Sequence, residues 1–465
     1  GNASLLNVSG AATITGTVKG DVNFIGDVTR QASYTVIAGG PGSVYSDQIS
    51  APTASISYIY SFETDAQHQN DLLFNIRPNT TEELCAALPG ESCGVVSSIR
   101  SLSGHEAFRA LRSIRVDEAE EVLPQLSGDV YASSDAAMVA GSRYLRNATG
   151  EQVRGSLGGV STGAGISAVS NYAAEPSPVA TPFGAFEEDN GGIGVWAAGY
   201  GAWSSMEGSG VAAKMTDSVG GFFLGADAAA FGSMRFGAVA GFGQSTYKVD
   251  AHNAKGTSDD YTFGLYGGGE WGGFGVDFGT AYTWHSVSTN RSVYASTFTD
   301  HLSGSYDAGT FQVYGGLGYG FDVTDSFTLE PYVDAAYINQ HSDAFTETGG
   351  IAALSYQSQT MNTGFTTVGL RGAWAFDLGG YQNRLSASAG WRHGFGDLDP
   401  TAAFTFAGSD PFGVTGTPLA EDQAVLSVGW DTEFSDTVSV GVNYTGQFAG
   451  GNRSQNVTAK LNIRF

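Results

Sequence analysis

From about residue 191 to the end, the sequence keeps a period of two. In "FGVDFGTAYTW", Phe274, Val276, Phe278, Tyr282 and Trp284 fall on one face of an extended chain, and Asp277, Gly279 and Thr283 on the other. "FQVYGGLGYGF" sets Phe311, Val313, Leu317, Tyr319 and Phe321 against Gln312, Gly316 and Gly320. "FTLEPYVDAAY" sets Phe327, Leu329, Val333 and Tyr337 against Glu330 and Asp334. In a soluble sandwich the second face would be outside, and Gly and Ala are poor choices for a solvated strand face. In a membrane barrel the apolar face meets lipid, and the small, polar face lines a lumen that must hold something.

Strand starts near 193, 218, 235, 260, 275, 311, 328, 365, 385, 423, 438 and 456 give about twelve, the even number a single-chain barrel uses. Short links such as "EWGGF" and "DLGGYQ" alternate with mostly longer ones near 205–216, 248–258, 292–308, 341–360 and 396–420. Short turns on one side and long loops on the other are the expected asymmetry of an outer-membrane barrel. The chain ends "NVTAKLNIRF", with Val457, Ala459, Leu461, Ile463 and Phe465 at alternate positions. An open strand edge in hydrocarbon leaves backbone N–H and C=O groups unpaired, so this last strand is expected to close the barrel on the first. Phe465 then falls in the periplasmic aromatic girdle.

Composition agrees with that reading. Gly stands at 67 residues and aromatics at 12%, while charged residues are only 14%, against about 25% in ordinary soluble domains. A net charge of -25 excludes nucleic acid as a partner, because phosphate binding needs a basic footprint. No run of about 18 apolar residues offers a transmembrane helix, a test to which barrels are blind. No signal peptide opens the sequence, which reads as a fragment or processed product.

Ahead of the barrel, residues 1–77 carry short β-rich units with Gly, Asn and Asp corners, as the last coils of a parallel β-helix closed by a cap would. Residues 78–190 are expected to be a linker with a helical plug. "EAFRALRSIRVDEAEEVL" and "SSDAAMVAGSRYLRNATGEQV" have helical composition, and Pro124 should part them. In the second, Ser134 can serve as N-cap with Asp135 in the first turn, and 135–153 would span about 28 Å, close to a bilayer's hydrocarbon. Cys85 and Cys93, with Pro89 and Gly90 between, fit a small disulfide loop, with free thiols the alternative. The candidate helix carries Arg143, Arg146 and Arg154, and the lumen-facing phase carries Asp227, Asp277, Asp334, Asp431 and Glu433, so opposite charges are expected to pair inside.

The segments "VWAAGYGAW" (195–203), "VGGFFLGADAAAFGSMRFGAVAGFG" (219–243), "YTFGLYGGGEWGGFGVDFGTAYTWH" (261–285) and the terminal "NVTAKLNIRF" resemble the translocator β-domain of monomeric autotransporters. "LPQLSGDVYASSDAAM" (123–138) is similar to the family's entry into the barrel. "QASYTVIAGG" with "NDLLFNI" resembles the autochaperone end of a passenger β-helix. The resemblance implies an all-β fold of about twelve antiparallel transmembrane strands over 191–465. It also implies a helix in the lumen, and export of the preceding passenger to the surface of a Gram-negative cell. It implies as partners outer-membrane lipid, the barrel-assembly machinery, periplasmic chaperones and the chain's own passenger, with the barrel a monomer. The terminal strand resembles the signal that the assembly machinery reads. Some members cut themselves at a helix asparagine; Asn147 is the one candidate, and "LRNATG" lacks the paired asparagine of that group.

Catalytic motifs are weak. "GVSTG" (159–163) matches a nucleophile elbow but lies in a Gly/Ser linker, without the strand before it and helix after it that the motif needs. Seven histidines are scattered without metal spacing; His285 and His393 read as strand-end or girdle residues. No enzyme, cofactor or metal is expected. Two rival readings are a free-standing porin, which needs an open lumen, and an adhesin in which residues 1–77 do the biology.

Overall fold

The structure is a computed structural model that describes residues 5–15, 18–19, 31–46, 49–50, 60–68, 70–87, 92–102, 110–111, 113–115, 117–157, 160, 193–208, 212–231, 234–435 and 437–464. Twelve antiparallel strands close on themselves. The first six are β1 (Ile193–Met206), β2 (Met215–Ala230), β3 (Met234–Val249), β4 (Ala254–Trp271), β5 (Phe274–Tyr294) and β6 (Thr299–Tyr319), the last continued by Phe321–Thr324. The others are β7 (Phe327–Ser342), β8 (Gln359–Leu378), β9 (Tyr381–Gly396), β10 (Asp422–Ser435), β11 (Val438–Phe448) and β12 (Asn452–Arg464). The seam joins β12 to β1, from Asn452 opposite Met206 to Arg464 opposite Gly194. Phe465 lies outside the described residues.

The alternation becomes the barrel's two faces. On β5, Phe274, Phe278, Tyr282 and Trp284 are exposed while Asp277, Thr283 and His285 are buried. An outward apolar face beside a buried polar one inverts a soluble protein and suits a wall bathed in lipid. Aromatics bound the band: Tyr261 faces Trp284 across β4 and β5 at one level, and Trp271 faces Phe274 at the other. At two tight turns the chain needs φ above zero, and Gly272–Gly273 and Gly379–Gly380 supply it at 58°, 88°, 65° and 84°.

Two of the long loops expected on the other side are mostly strand. β5 and β6 run on to Tyr294 and from Thr299, and β3 and β4 are parted only by a short 3-10 turn at Asp250–His252. Beyond Trp284 the outward positions become Ser286, Ser288 and Asn290, and on β6 Thr299, His301, Ser303, Ser305 and Asp307. The polar text that reads as loop is wall standing clear of the lipid, paired residue by residue. Long connections remain at 343–358 and 397–421. These carry a small sheet in which Phe345–Thr346, Leu354–Tyr356, Thr401–Phe406 and Phe412–Thr415 pair in that order.

Near the N-terminus, parallel pairing sets Leu6 beside Ile37, Thr13 beside Val44 and Val18 beside Ile49, the same spacing of 31 residues each time. A constant offset along three short strands is one rung of a β-helix stacked on the next. The antiparallel hairpin of Tyr60–His68 and Asp71–Pro78 adds to the strand Ala32–Ala38 and closes the stack.

The helices that follow include, among the described residues, α1 (Thr81–Ala87), α2 (Ser92–Ser101), α3 (Ala119–Gln125), α4 (Asp129–Gly141) and α5 (Arg143–Leu157). Thr80 and Glu83 form a reciprocal capping box ahead of α1, and Arg77 grips the Glu83 carboxylate with both terminal nitrogens at 2.7 Å. Cys85 and Cys93 are bonded to each other, joining α1 to α2. Residues 78–126 are more than a linker. Val95, Val96, Ile99, Leu102, Leu111, Ile114, Val122, Leu123 and Leu126 are almost wholly buried, in one cluster with Leu354, Tyr356, Phe404, Phe406, Phe412 and Val414 of the loops. Together they cap the long-loop end of the barrel.

Candidate functional site

The lumen holds α4 and α5. The helix begins at Asp129 with Gly128 as N-cap, not at Ser134, whose hydroxyl donates to the Tyr131 carbonyl at 2.8 Å inside the first turns. From 129 to 157 the two helices span about 43 Å at 1.5 Å per residue, longer than a bilayer's hydrocarbon because the wall itself stands above the lipid. Every residue from Asp129 to Val139 is buried, and the run Ala132, Ser133, Ser134, Ala136, Ala137 keeps this stretch slim enough to be surrounded on all sides. Between the helices, Ser142 turns its hydroxyl onto the Val139 carbonyl at 2.6 Å, and Gln312 of β6 donates to the Ser142 carbonyl at 3.2 Å. A Gly-Ser pair whose carbonyl is taken by the wall is a sufficient cause for the break.

The helix runs from the long-loop end to the short-turn end. Asp129 accepts from the Ala213 amide at 3.1 Å and lies 2.9 Å from His252, both in loops at the capped mouth. Leu157 lies near Gly269, Glu270 and Gly273, beside the β4–β5 turn. With long loops outside and short turns in the periplasm, the chain ahead of α4 stands outside.

α5 is two-faced. Tyr144, Leu145, Ala148, Val153 and Leu157 pack on Trp196, Ala198, Phe223, Val239, Tyr266 and Ala281 of β1 to β5. Asn147, Glu151 and Arg154 line a cavity of about 90 Å³ together with Arg371, Arg392 and Lys460. Gly268 of β4 permits the close approach on the apolar side, since a Cβ there would come closer than 3.0 Å to Val153 and to the Val276 carbonyl. Gly268→Leu is expected to push α5 off the wall at a cost of roughly 1–3 kcal/mol. Single-channel recording in planar bilayers should then show raised conductance, and a current unchanged from wild type would contradict tight seating.

The arginines expected to pair with lumen acids divide. Arg154 does so, with Nη1 2.6 Å from Asp277 and Nη2 3.3 Å from Glu151. Arg146 donates instead to the Ser142 hydroxyl and to Gln312 Oε1, both at 2.7 Å. Arg143 donates to the Ala140 carbonyl at 2.8 Å, to the Tyr144 hydroxyl at 3.0 Å and to Ser454. Among the described residues these two hold the helix through neutral groups, which spares the cost of burying a carboxylate for each. Asp227 faces the helix through Gln152 at 2.9 Å and is paired with Arg235 of its own wall. Asp334 lines the cavity near Arg154 and Arg371, and Asp431 lies opposite Arg384 on the neighbouring strand. Glu433 sits two residues further along β10, opposite Gln382. Val457, Ala459, Leu461 and Ile463 lie on β12 between β11 and β1.

Above the lipid band the helix is fixed by Asp135 and by two groups that sequence reasoning did not single out, Arg291 and Glu347. Arg291 of β5 and Glu347 of the 343–358 loop form an ion pair at 2.6 Å with both side chains about 1% exposed or less. Arg291 also donates to the carbonyls of Gln125 and Ala352, and Glu347 accepts from the Tyr131 hydroxyl at 2.6 Å. Burial, and next the Glu347 charge, hold the Tyr131 hydroxyl well above its ordinary pKa, so it stays a neutral donor. Asp135 takes Ser342 at 2.6 Å, Gln340 at 3.2 Å and Tyr356 at 3.2 Å. His285 is not a girdle residue: it points inward to Asp260 at 2.7 Å and Thr310 at 2.9 Å. His393 does sit at the outer rim, 2.9 Å from Asp422. No cluster of metal-ligating side chains occurs among the described residues. "GVSTG", apart from Val160, lies outside them.

Residues 195–445 match the family described as Autotransporter beta-domain. Two curated relatives, each an "Extracellular serine protease" of Serratia marcescens, are 30% identical over 81% of this chain and 29% identical over 78% of it. The matches take up 34% and 33% of those relatives, so the chain spans about a third of their length. Among solved structures, the translocator domain of autotransporter NalP from Neisseria meningitidis superposes with a TM-score of 0.50 at 19% identity. That likeness covers 60% of this chain and 90% of the other, and concerns the fold.

Proposed function

The chain belongs to the autotransporter β-domain family, and on that premise we propose how its parts divide the work of export. The barrel is an outer-membrane translocator domain of a Gram-negative bacterium and serves a passenger joined ahead of it, which is displayed at the cell surface. Its work is translocation, not the making or breaking of a bond. The observation that carries the reading is the helix of 129–157, threaded along a closed lumen from the long-loop end towards the short-turn end. A polypeptide in that position is what remains when the chain ahead of it has gone out through the barrel. A porin needs that space open.

In our reading residues 1–77 are the last part of the passenger, placed at the cell surface, with their stacked rungs and hairpin as its capping end. Residues 78–190 leave a plug behind. Arg154, with Arg143 and Arg146, seats that plug, and the alternating residues of β12 together with Phe465 direct insertion through the barrel-assembly machinery, periplasmic chaperones attending before it. The relatives' name adds a proposal about cargo: a secreted enzyme of the serine-protease kind, carried by the longer protein.

The test is protease accessibility on intact Gram-negative cells making this chain behind a signal peptide, with an epitope placed ahead of Asn2. Added protease should remove the epitope while a heat-modifiable barrel survives in the outer membrane. An epitope protected until the outer membrane is opened would put residues 1–77 in the periplasm and overturn the reading.

A further inference from the structure

We propose that the outer loops of this barrel are a receiving surface for the chain leaving the lumen, and that docking of α2 on the 401–415 hairpin, with 117–126 seated on the wall beside it, is itself a step of export. The inference rests on the translocator reading. Its starting point is that neither partner has a core alone. α2 and α3 are ten and seven residues long, too short to hold as helices without a surface to pack on. Val95 and Ile99 of α2 are at most 1% exposed, in one buried cluster with Phe404, Phe406 and Phe412 of the hairpin, while α3 packs beside α2 on the wall at β5.

The hairpin shows the same dependence from its side. It lies outside the lipid band and outside the barrel wall, where polar residues would serve a loop that meets only water, yet its three phenylalanines are buried. Polar groups fix the register of the contact. The Ser98 hydroxyl lies 2.7 Å from both the Ser409 hydroxyl and the Asp410 carbonyl, and the Asp410 amide donates to the Ser101 hydroxyl at 2.6 Å. On the wall, the Tyr294 amide donates to Gln125 Oε1 at 2.9 Å, and the Ser296 hydroxyl to Glu118 at 2.9 Å. Apolar burial with matched hydrogen bonds makes a specific seat.

Order follows from topology. Residues 92–126 immediately precede the lumen helix, so they reach this surface only after passing the lumen, and the first of them arrive while the rest are still inside. Each apolar side chain that docks then makes return less favourable, a bias available at the mouth itself. The surface therefore recognises one partner, the passenger-proximal segment of its own chain.

The experiment is a pulse-chase of the epitope ahead of Asn2, scored by added protease, in cells whose barrel assembly is followed separately by heat-modifiability. The double variant Phe406→Asp with Phe412→Asp should slow surface appearance roughly tenfold or more while the barrel assembles, the order that a modest loss of stabilisation at the crossing step gives. Val95→Asp, which leaves the barrel untouched, should reproduce the delay, and Ala407→Asp, on an exposed position of the same hairpin, should not. Wild-type kinetics in the assembled Val95→Asp or hairpin variants would overturn the proposal. An epitope that never reaches the surface even in wild type would sink the translocator reading instead.

Discussion

Glu347→Ala is expected to remove about 3–5 kcal/mol of stability from the outer end of the barrel, the usual consequence of leaving a buried charge without its partner. Among the described residues Arg291 would keep neutral acceptors alone, the Gln125 and Ala352 carbonyls, and the Tyr131 hydroxyl would lose its carboxylate. Three elements meet at this pair: the wall, the 343–358 loop and the start of the lumen helix. Hydrogen exchange should therefore rise together around 122–131 and 345–356, while the strands in the lipid band keep their protection. Replacing both partners by apolar residues, Arg291→Met with Glu347→Leu, should restore most of the loss, because desolvation of two charges is avoided. Unchanged exchange in Glu347→Ala would mean that the pair contributes nothing net.

Phe404→Ala should cost a similar amount, about 3–5 kcal/mol, for a different reason. This ring is fully buried, with centroids 5.9 Å from Tyr131, 5.5 Å from Tyr356 and 5.8 Å from Phe412. Truncation leaves a cavity between the cap and the top of the lumen helix that rigid neighbours on three sides cannot fill. The open form of the cap should become more populated by about two to four orders of magnitude. Limited proteolysis of assembled protein would report this as cleavage within 92–126, with the heat-modifiable barrel intact. Cleavage at the wild-type rate would show that the cap does not depend on this ring.

The barrel was legible because hydrogen-bonded strands in lipid must alternate, and Phe274, Phe278, Tyr282 and Trp284 are exposed where Asp277, Gly279, Ala281 and Thr283 are buried, as the period requires. Legibility failed where no period operates. The Ser-Ser-Asp signal at 133–135 suggests a helix start, but Asp129 has partners in two loops and draws the start to Gly128. The cap was not legible because its core is shared between segments roughly 300 residues apart, as at Ser98 and Ser409. Neither segment shows a complete amphipathic pattern alone. Arg143 and Arg146 were found in the lumen, but their partners were not, since Ser454 and Gln312 carry no charge to advertise them. The Arg291–Glu347 pair had one signal, two opposite charges in otherwise uncharged outer stretches, "TNRSVYASTF" and "AFTETGG".

The seam between first and last strands bears on how anything could leave the barrel sideways. Its ladder runs from Asn452–Met206 to Arg464–Gly194, longer than the adjoining one between β11 and β12, which runs from Val438–Ile463 to Phe448–Arg453. A door in the wall would be expected where hydrogen bonding is shortest, and the closing joint is not that place. Once shut, the cylinder offers cargo an axial path alone, and the plug could be withdrawn only lengthwise, past the cap that sits over its upper end.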